Sequence, residues 1–381
     1  LALSSSVSQP LFGALADRVG RRPVMAAGIA VSASLLSLIV VAPSIWALLG
    51  LVFIGGLGSA ALHPAGSSLA RSAGRDKPAL AVGLFSAGGT AGIALGPVIV
   101  LALIATFGGD ATPWLLIPGV LLGLALAILV PTELDPPVGA RRLLRARLLD
   151  PRLIAGPVGT LSLSEIFSRL AHVTFTGAMP LWLVSAHGLG QDDARIGWTL
   201  ATFSLAAAGG GIAVVIFGAG LSRRLLVPGT TLLALPLLLL VLRLDPHAPA
   251  FFVAVALAGA MLGGSLPLKI SSAQDLAPHA VATASAMLMG FAAGTAGVLY
   301  IGIGLLQETV GLQTAMGIGF LGLIPSAALA FGVLSKPQDQ LATPADVTSV
   351  TERPAVLAAA LGDRCLCLTC PCAGACACPV G

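Results

Sequence analysis

The chain has 381 residues, 56% of them hydrophobic and 9% charged, with a formal net charge of +4. A water-soluble domain carries roughly a quarter of its residues as charges, so this composition excludes one. Apolar runs of about twenty residues recur along almost the whole length, each long enough to cross a hydrocarbon core as a helix.

In chain order the predicted spans are 1–14 (incomplete), 23–43, 46–70, 78–106, 113–132, 153–185, 195–218, 225–243, 249–273, 279–306 and 311–334. Short turns rich in Gly, Pro and Asp separate them, such as GGDATP at 108–113 and LDPHAP at 244–249. One connection is longer and basic, PTELDPPVGARRLLRARLLDPRL at 131–153, with room for an amphipathic helix on the membrane surface. The basic residues sort by side. Arg18, Arg21, Arg22, then Arg71, Arg75, Lys77, then Arg141, Arg142, Arg145, Arg147, Arg152, then Arg223 and Arg224 fall in alternate loops. The opposite loops hold Arg195 and Arg243 beside Asp110, Asp192, Asp193 and Asp245. The positive-inside rule places the basic loops and the C-terminal tail in the cytoplasm of a cell-membrane protein.

The chain also repeats itself. AGGTAG at 87–92 recurs as AAGTAG at 292–297, and GALADR at 13–18 as GAGLSR at 218–223, both with an offset of 205. Both copies keep the same membrane orientation, so the repeat is parallel, as in transporters built from two six-helix halves. The offset places the partner of span 153–185 before residue 1, so the chain reads as a fragment lacking helix 1 and part of helix 2, about fifty residues. The expected organisation is an N-terminal bundle over 1–132, a basic linker over 133–152, a C-terminal bundle over 153–334, and a disordered tail over 335–381.

GALADRVGRR at 13–22 resembles the loop motif between helices 2 and 3 of the major facilitator superfamily, with Gly13, Asp17, Arg18, Gly20, Arg21 and Arg22 matching. GAGLSRR at 218–224 looks like a decayed second copy, with Ser222 in place of the acid. GIALGP at 92–97 resembles the helix-5 motif of the superfamily's exporters, without its trailing glycine pair. LHPAGSSLAR (62–71), FSAGGTAGIALGP (85–97) and PLWLVSAHGLG (180–190) are similar to fosmidomycin-resistance-type exporters. The resemblance implies an all-α membrane protein of two six-helix bundles related by a parallel pseudo-two-fold axis. It also implies that Asp17 and the arginines pair with neighbouring helix ends and bias a rocking equilibrium. Gly92, Gly96 and Pro97 join that conformational set. Gly88, Gly89, Gly92 and Gly96 give a helix face for close packing, sliding or bending.

Ionisable groups inside spans are costly and mark candidate sites. Glu165, Arg169 and His172 share one helix face by spacings of four and three. Glu165 lies about 18 Å of helix in from residue 153. Here Glu165 is the candidate proton carrier, Arg169 its tuner or an anion ligand, and His172 a relay; a self-neutralising structural pair is the alternative. His63 before Pro64 and Lys269 after Pro267 are near-equivalent in the repeat, and read either as binding-site groups or as packing and snorkelling groups near the helix ends. Trp182 is expected either to line the cavity or to sit in the interfacial belt, with the belt favoured.

All six cysteines, Cys365, Cys367, Cys370, Cys372, Cys376 and Cys378, fall in the tail. Their spacing lacks a zinc-ribbon pattern; a soft-metal site and a nonfunctional extension are both open. No nucleophile–base set or Walker sequence is evident, so the expectation is neither an enzyme nor an ATP-driven pump. The predicted function is a monomeric, proton-driven secondary transporter, with no cofactor and no nucleic-acid partner. It exports a small organic compound or drug by antiport. Uptake by proton symport on the same fold, or a sensor or metal-binding role through the tail, are the alternatives.

Overall fold

The computed structural model describes residues 2–131, 151–190, 193–218 and 220–335. Among these residues the chain is helical, with no strand. The N-terminal helices are α1 (Ala2–Val19), α2 (Arg21–Ser37), α3 (Ile45–Ala73), α4 (Pro78–Phe107) and α5 (Leu116–Leu129). The C-terminal helices are α6 (Pro157–His187), α7 (Ala194–Phe217), α8 (Arg223–Val241), α9 (Pro249–Leu276), α10 (Val281–Val310) and α11 (Leu312–Leu334). Seven helical segments among the described residues, including α3 and α7 to α11, are long and apolar enough to cross a bilayer. The basic linker at 132–150 and the tail from 336, with its cysteines, lie outside the described residues.

Local chemistry sets the helix ends. The Ser44 hydroxyl accepts from Ala47 N at 3.2 Å and starts α3. Asp193 does the same for α7, accepting from Arg195 N at 2.8 Å. Pro78, Pro157 and Pro249 occupy the first turns of α4, α6 and α9, where a missing N–H costs nothing.

The structure shifts several predicted boundaries. The expected loop at 13–22 is almost wholly helical: α1 runs to Val19, and Gly20 alone breaks the chain, at φ 128°. A glycine adopts that conformation without steric cost, so a sharp bend needs only one residue. The predicted span at 113–132 begins as a 3₁₀ turn over Gly109–Leu115 before α5. The predicted span at 153–185 is a short turn, Pro151–Ala155, interrupted at Gly156 before α6.

Packing follows side-chain size. Glycines let α7 and α9 approach closely: a Cβ at Gly210 would collide with the Ala260 backbone, and one at Gly263 with that of Ala207. Phe175 and Phe203 stack with ring centroids 4.0 Å apart, in a core shared with Met179, Trp182, Phe251 and Phe320. Trp182 is therefore a core residue, 2% exposed, and not part of an interfacial belt. The repeated glycine face of α4 also departs from expectation. A Cβ at Gly88, Gly89, Gly92 or Gly96 would meet nothing within 4 Å, because no described element lies against that face.

The N-terminal and C-terminal helices meet along α1 and α3 against α10, and along α4 against α7 and α9. At one end, the contact is a helix cap made in trans. Helix α10 begins after Ala280, which has no side-chain acceptor. Asp17 of α1 supplies one. Its Oδ1 accepts from Ala282 N at 3.1 Å, and its Oδ2 from Thr283 N at 3.0 Å and Thr283 Oγ1 at 2.9 Å. These are the first free N–H groups of α10, where a carboxylate also meets the positive end of the helix dipole. Gly13 permits the approach, since a Cβ there would lie 2.8 Å from the Ala282 carbonyl oxygen. Replacing Asp17 with Ala is expected to cost the start of α10 about 1–2 kcal/mol. Amide exchange at Ala282 and Thr283 should then quicken by about five- to thirtyfold, read by hydrogen exchange in detergent micelles.

Candidate functional site

Helix α6 presents Glu165, Arg169 and His172 one turn apart, as their spacing predicts. Arg169 Nε donates to Glu165 Oε1 at 2.9 Å. The other carboxylate oxygen is taken by a residue 104 positions away: Lys269 Nζ donates to Glu165 Oε2 at 3.2 Å. Lys269 is 0% exposed and Glu165 3% exposed. Snorkelling of Lys269 to a helix end is thus overturned. Its ammonium turns inward because a carboxylate and two hydroxyls meet it there.

Lys269 Nζ also donates to Ser168 Oγ at 2.9 Å and to Ser326 Oγ at 3.3 Å, so all three of its N–H bonds have acceptors. Ser326, on α11, is tied back to α6. Ser164 Oγ donates to the Ser326 carbonyl at 2.7 Å, and Ser326 Oγ lies 2.8 Å from Ser168 Oγ. One buried ion triad therefore fastens α6, α9 and α11. Sequence reasoning missed Ser164, Ser168 and Ser326. Ser168 lies three residues from Glu165 and Ser164 four from Ser168, so both were legible from their spacing; Ser326 carried no local signal.

The triad borders a cavity of about 580 Å³ between the N-terminal and C-terminal helices. Glu165, Ser168, Arg169 and His172 line it from α6, and Gly83, Ser86, Ala87 and Thr90 from α4. Helices α7 and α9 close it with Leu200, Ser204, Leu262 and Pro267, among others. Lys269 stands behind this wall and is not among the lining residues. His172 lies against the Phe203 ring at 5.3 Å between centroids. His63, on α3, is half-buried and within electrostatic reach of Arg169, as is His172. Of the five ionisable residues singled out from the sequence, Glu165, Arg169 and Lys269 are in direct contact, and His172 lines the same cavity.

The motif residues do not reach this cavity. They form the contacts at the Gly20 end of the bundle. Arg21 lies 3.6 Å from Asp17 and reaches Ser72 Oγ at 3.5 Å. Arg22 Nε donates to the Ala127 carbonyl of α5 at 2.8 Å, as a cation at a helix C-terminus should. Arg18 lies half-buried on the last turn of α1. Beside them, Asp275 at the end of α9 joins both sets of helices. It pairs with Arg71 of α3 on one oxygen and with Arg223 of α8, at 2.6 Å, on the other. Neither Asp275 nor its arginines stood out in sequence, where Arg71 and Arg223 only marked a side. Gly92 and Gly96 lie on the open face of α4; Pro97 continues that helix, and its side chain is outside the described residues. Among the described residues no cluster of three or more His, Cys, Asp or Glu is placed to hold a metal.

Replacing one partner of a buried ion pair leaves the other charge uncompensated, at a cost of about 3–5 kcal/mol. Glu165→Gln takes the carboxylate from Lys269, which is 0% exposed, and should lower the thermal unfolding temperature in micelles accordingly. The double variant with Lys269→Met should recover most of the loss.

Residues 1–170 match the family model described as Major Facilitator Superfamily. The chain is 26% identical to the fosmidomycin resistance protein of Escherichia coli over 84% of this chain and 79% of that one. It is 27% identical to an uncharacterized MFS-type transporter, YfnC, of Bacillus subtilis over 89% and 83%. The solved E. coli fucose:proton symporter FucP superposes with TM-score 0.65 at 13% identity, over 87% of this chain and 88% of that one. The human organic anion transporter TETRAN superposes with TM-score 0.63 at 18% identity, over 86% and 81%. The fold is that of these transporters.

Proposed function

We propose that this chain, a multi-pass membrane transporter of the major facilitator type, exports a small organic compound or drug in exchange for protons. The observation that carries the proposal is the Glu165–Arg169–Lys269 triad on the wall of a cavity between two sets of helices. A buried carboxylate between two cations is a charge balance that one proton upsets. Adding a proton to Glu165 weakens its hold on both cations, and Arg169, which faces the cavity, changes its interaction with any cargo there. Binding and protonation are thereby coupled at one residue.

The second half of the mechanism is alternating access. The cavity and the ionic contacts at the Gly20 end lie along the same seam between α1–α5 and α6–α11, which we take as two rocking bundles joined by the basic linker. Opening the seam at that end would break the Asp17 cap on α10 and the Arg71–Asp275 pair. Those contacts hold the seam closed while the cavity is reached from the other side. The positive-inside rule assigns the Gly20 end to the cytoplasm, so the closed contacts face inward. Export, in preference to uptake, is supported by what similar proteins are named for: fosmidomycin resistance in E. coli and multidrug resistance in several enterobacteria.

The test uses proteoliposomes holding a pH-sensitive dye and an imposed proton gradient. Fosmidomycin and other candidate compounds are added to the parent and to Glu165→Gln. Compound-dependent proton movement in the parent, reduced at least about tenfold in the variant, supports the proposal. Equal proton movement in both would remove Glu165 from coupling and reduce the triad to a structural clamp.

A further inference from the structure

We infer that the cavity takes a small organic anion, gripped by the free fork of Arg169 on α6 and by the Ser86 hydroxyl on α4. This rests on the transport reading only in calling the ligand a cargo.

The charges decide the sign. Glu165 is the one acidic residue among those lining the cavity. Lys269 already balances it from behind, with every N–H bond engaged on Glu165, Ser168 and Ser326. Arg169 is then one positive charge in excess, on the cavity side of the wall. Its Nε is held by Glu165, while its two Nη groups have no acceptor among the described residues. Its side chain is 25% exposed. A guanidinium presenting two parallel N–H bonds is matched by the two oxygens of a carboxylate or phosphonate. A cationic cargo would meet an uncompensated like charge at the same place.

The opposite wall supplies an independent observation. Ser86 Oγ is sealed from solvent and has no hydrogen-bond partner, although Ser86 lines the cavity. Its neighbour Thr90 is engaged on the Ser86 carbonyl at 3.2 Å, leaving the Ser86 hydroxyl as the donor without an acceptor. Buried hydroxyls are rarely left unpaired, and this one stands in the cavity wall, where a ligand oxygen can accept its proton. An oxyanion satisfies both Ser86 and Arg169. Beside Thr90, Ser168, His172 and Ser204 the lining is alanine, glycine, proline and leucine, including Leu200, Leu262 and Leu266, and suits a hydrocarbon or aromatic body behind the acid group. The volume of about 580 Å³ fits one small molecule. Because Ser86 belongs to α4 and Arg169 to α6, such an anion would bridge the two sets of helices.

The test is direct binding to the purified full chain in detergent micelles, by isothermal titration calorimetry. The probes are fosmidomycin (a phosphonate), benzoate (a carboxylate) and tetraphenylphosphonium (a cation). The anions should bind and the cation should not. Arg169→Gln should weaken fosmidomycin at least about tenfold, and Arg169→Lys should restore only part, since an ammonium lacks the fork. Ser86→Ala touches no ion pair, so it keeps the test open even where the arginine variants unfold; it should weaken fosmidomycin about three- to tenfold with an unchanged unfolding temperature. Tetraphenylphosphonium binding as tightly as the anions would overturn the inference. So would anion affinities untouched by Ser86→Ala and by a folded Arg169→Gln. Anion binding without coupled proton movement in vesicles would sink the antiport reading and leave the anion site standing. Proton movement driven by the cation alone would do the reverse.

Discussion

Glu165 has a cation on each carboxylate oxygen, and much of the C-terminal half is arranged around those two contacts. A charge among membrane helices cannot be left to water, so its partners must come from neighbouring helices. Lys269 comes from α9, and the hydroxyls that complete its shell come from α6 and α11. Moving α9 away from α6 would strand the Lys269 ammonium. The aromatic core of Phe175, Phe203, Trp182 and Phe251 packs among the same C-terminal helices.

A different economy of charge operates at the Gly20 end. There the carboxylates bring in α1, α3, α8 and α10, which the central triad does not reach. Asp17 caps α10 from α1, and Asp275 takes one arginine from each set of helices. These contacts are shorter in reach and closer to the ends of the bundle than the triad. Asp275 has Arg223 from its own side beside Arg71 from the other, so its charge is answered within the C-terminal helices as well. The central triad lies wholly within the C-terminal helices. Charge thus does two jobs: it ties one set of helices together internally and joins it to the other set.

Small residues do the remaining work, unevenly. The α7–α9 seam is closed by glycines whose replacement would drive side chains into backbone. The glycine face of α4 has the same composition and no neighbour. Composition alone could not separate these cases, because a glycine stripe permits an approach without supplying the helix that makes it.

The helical membrane architecture, the order of its spans, the repeat and the motif at 13–22 were legible in the amino-acid sequence. It also placed Glu165, Arg169 and His172 on one face. All of these are local properties, set by hydropathy, turn chemistry and the 3.6-residue period. Only the tertiary structure decided that Lys269 completes the triad, that Ser326 holds it, that Asp17 caps a helix 265 residues away and that Trp182 is core. Those contacts join residues on different helices. Periodicity fixes which way a side chain points from its own helix axis. It carries no information on which helix stands opposite.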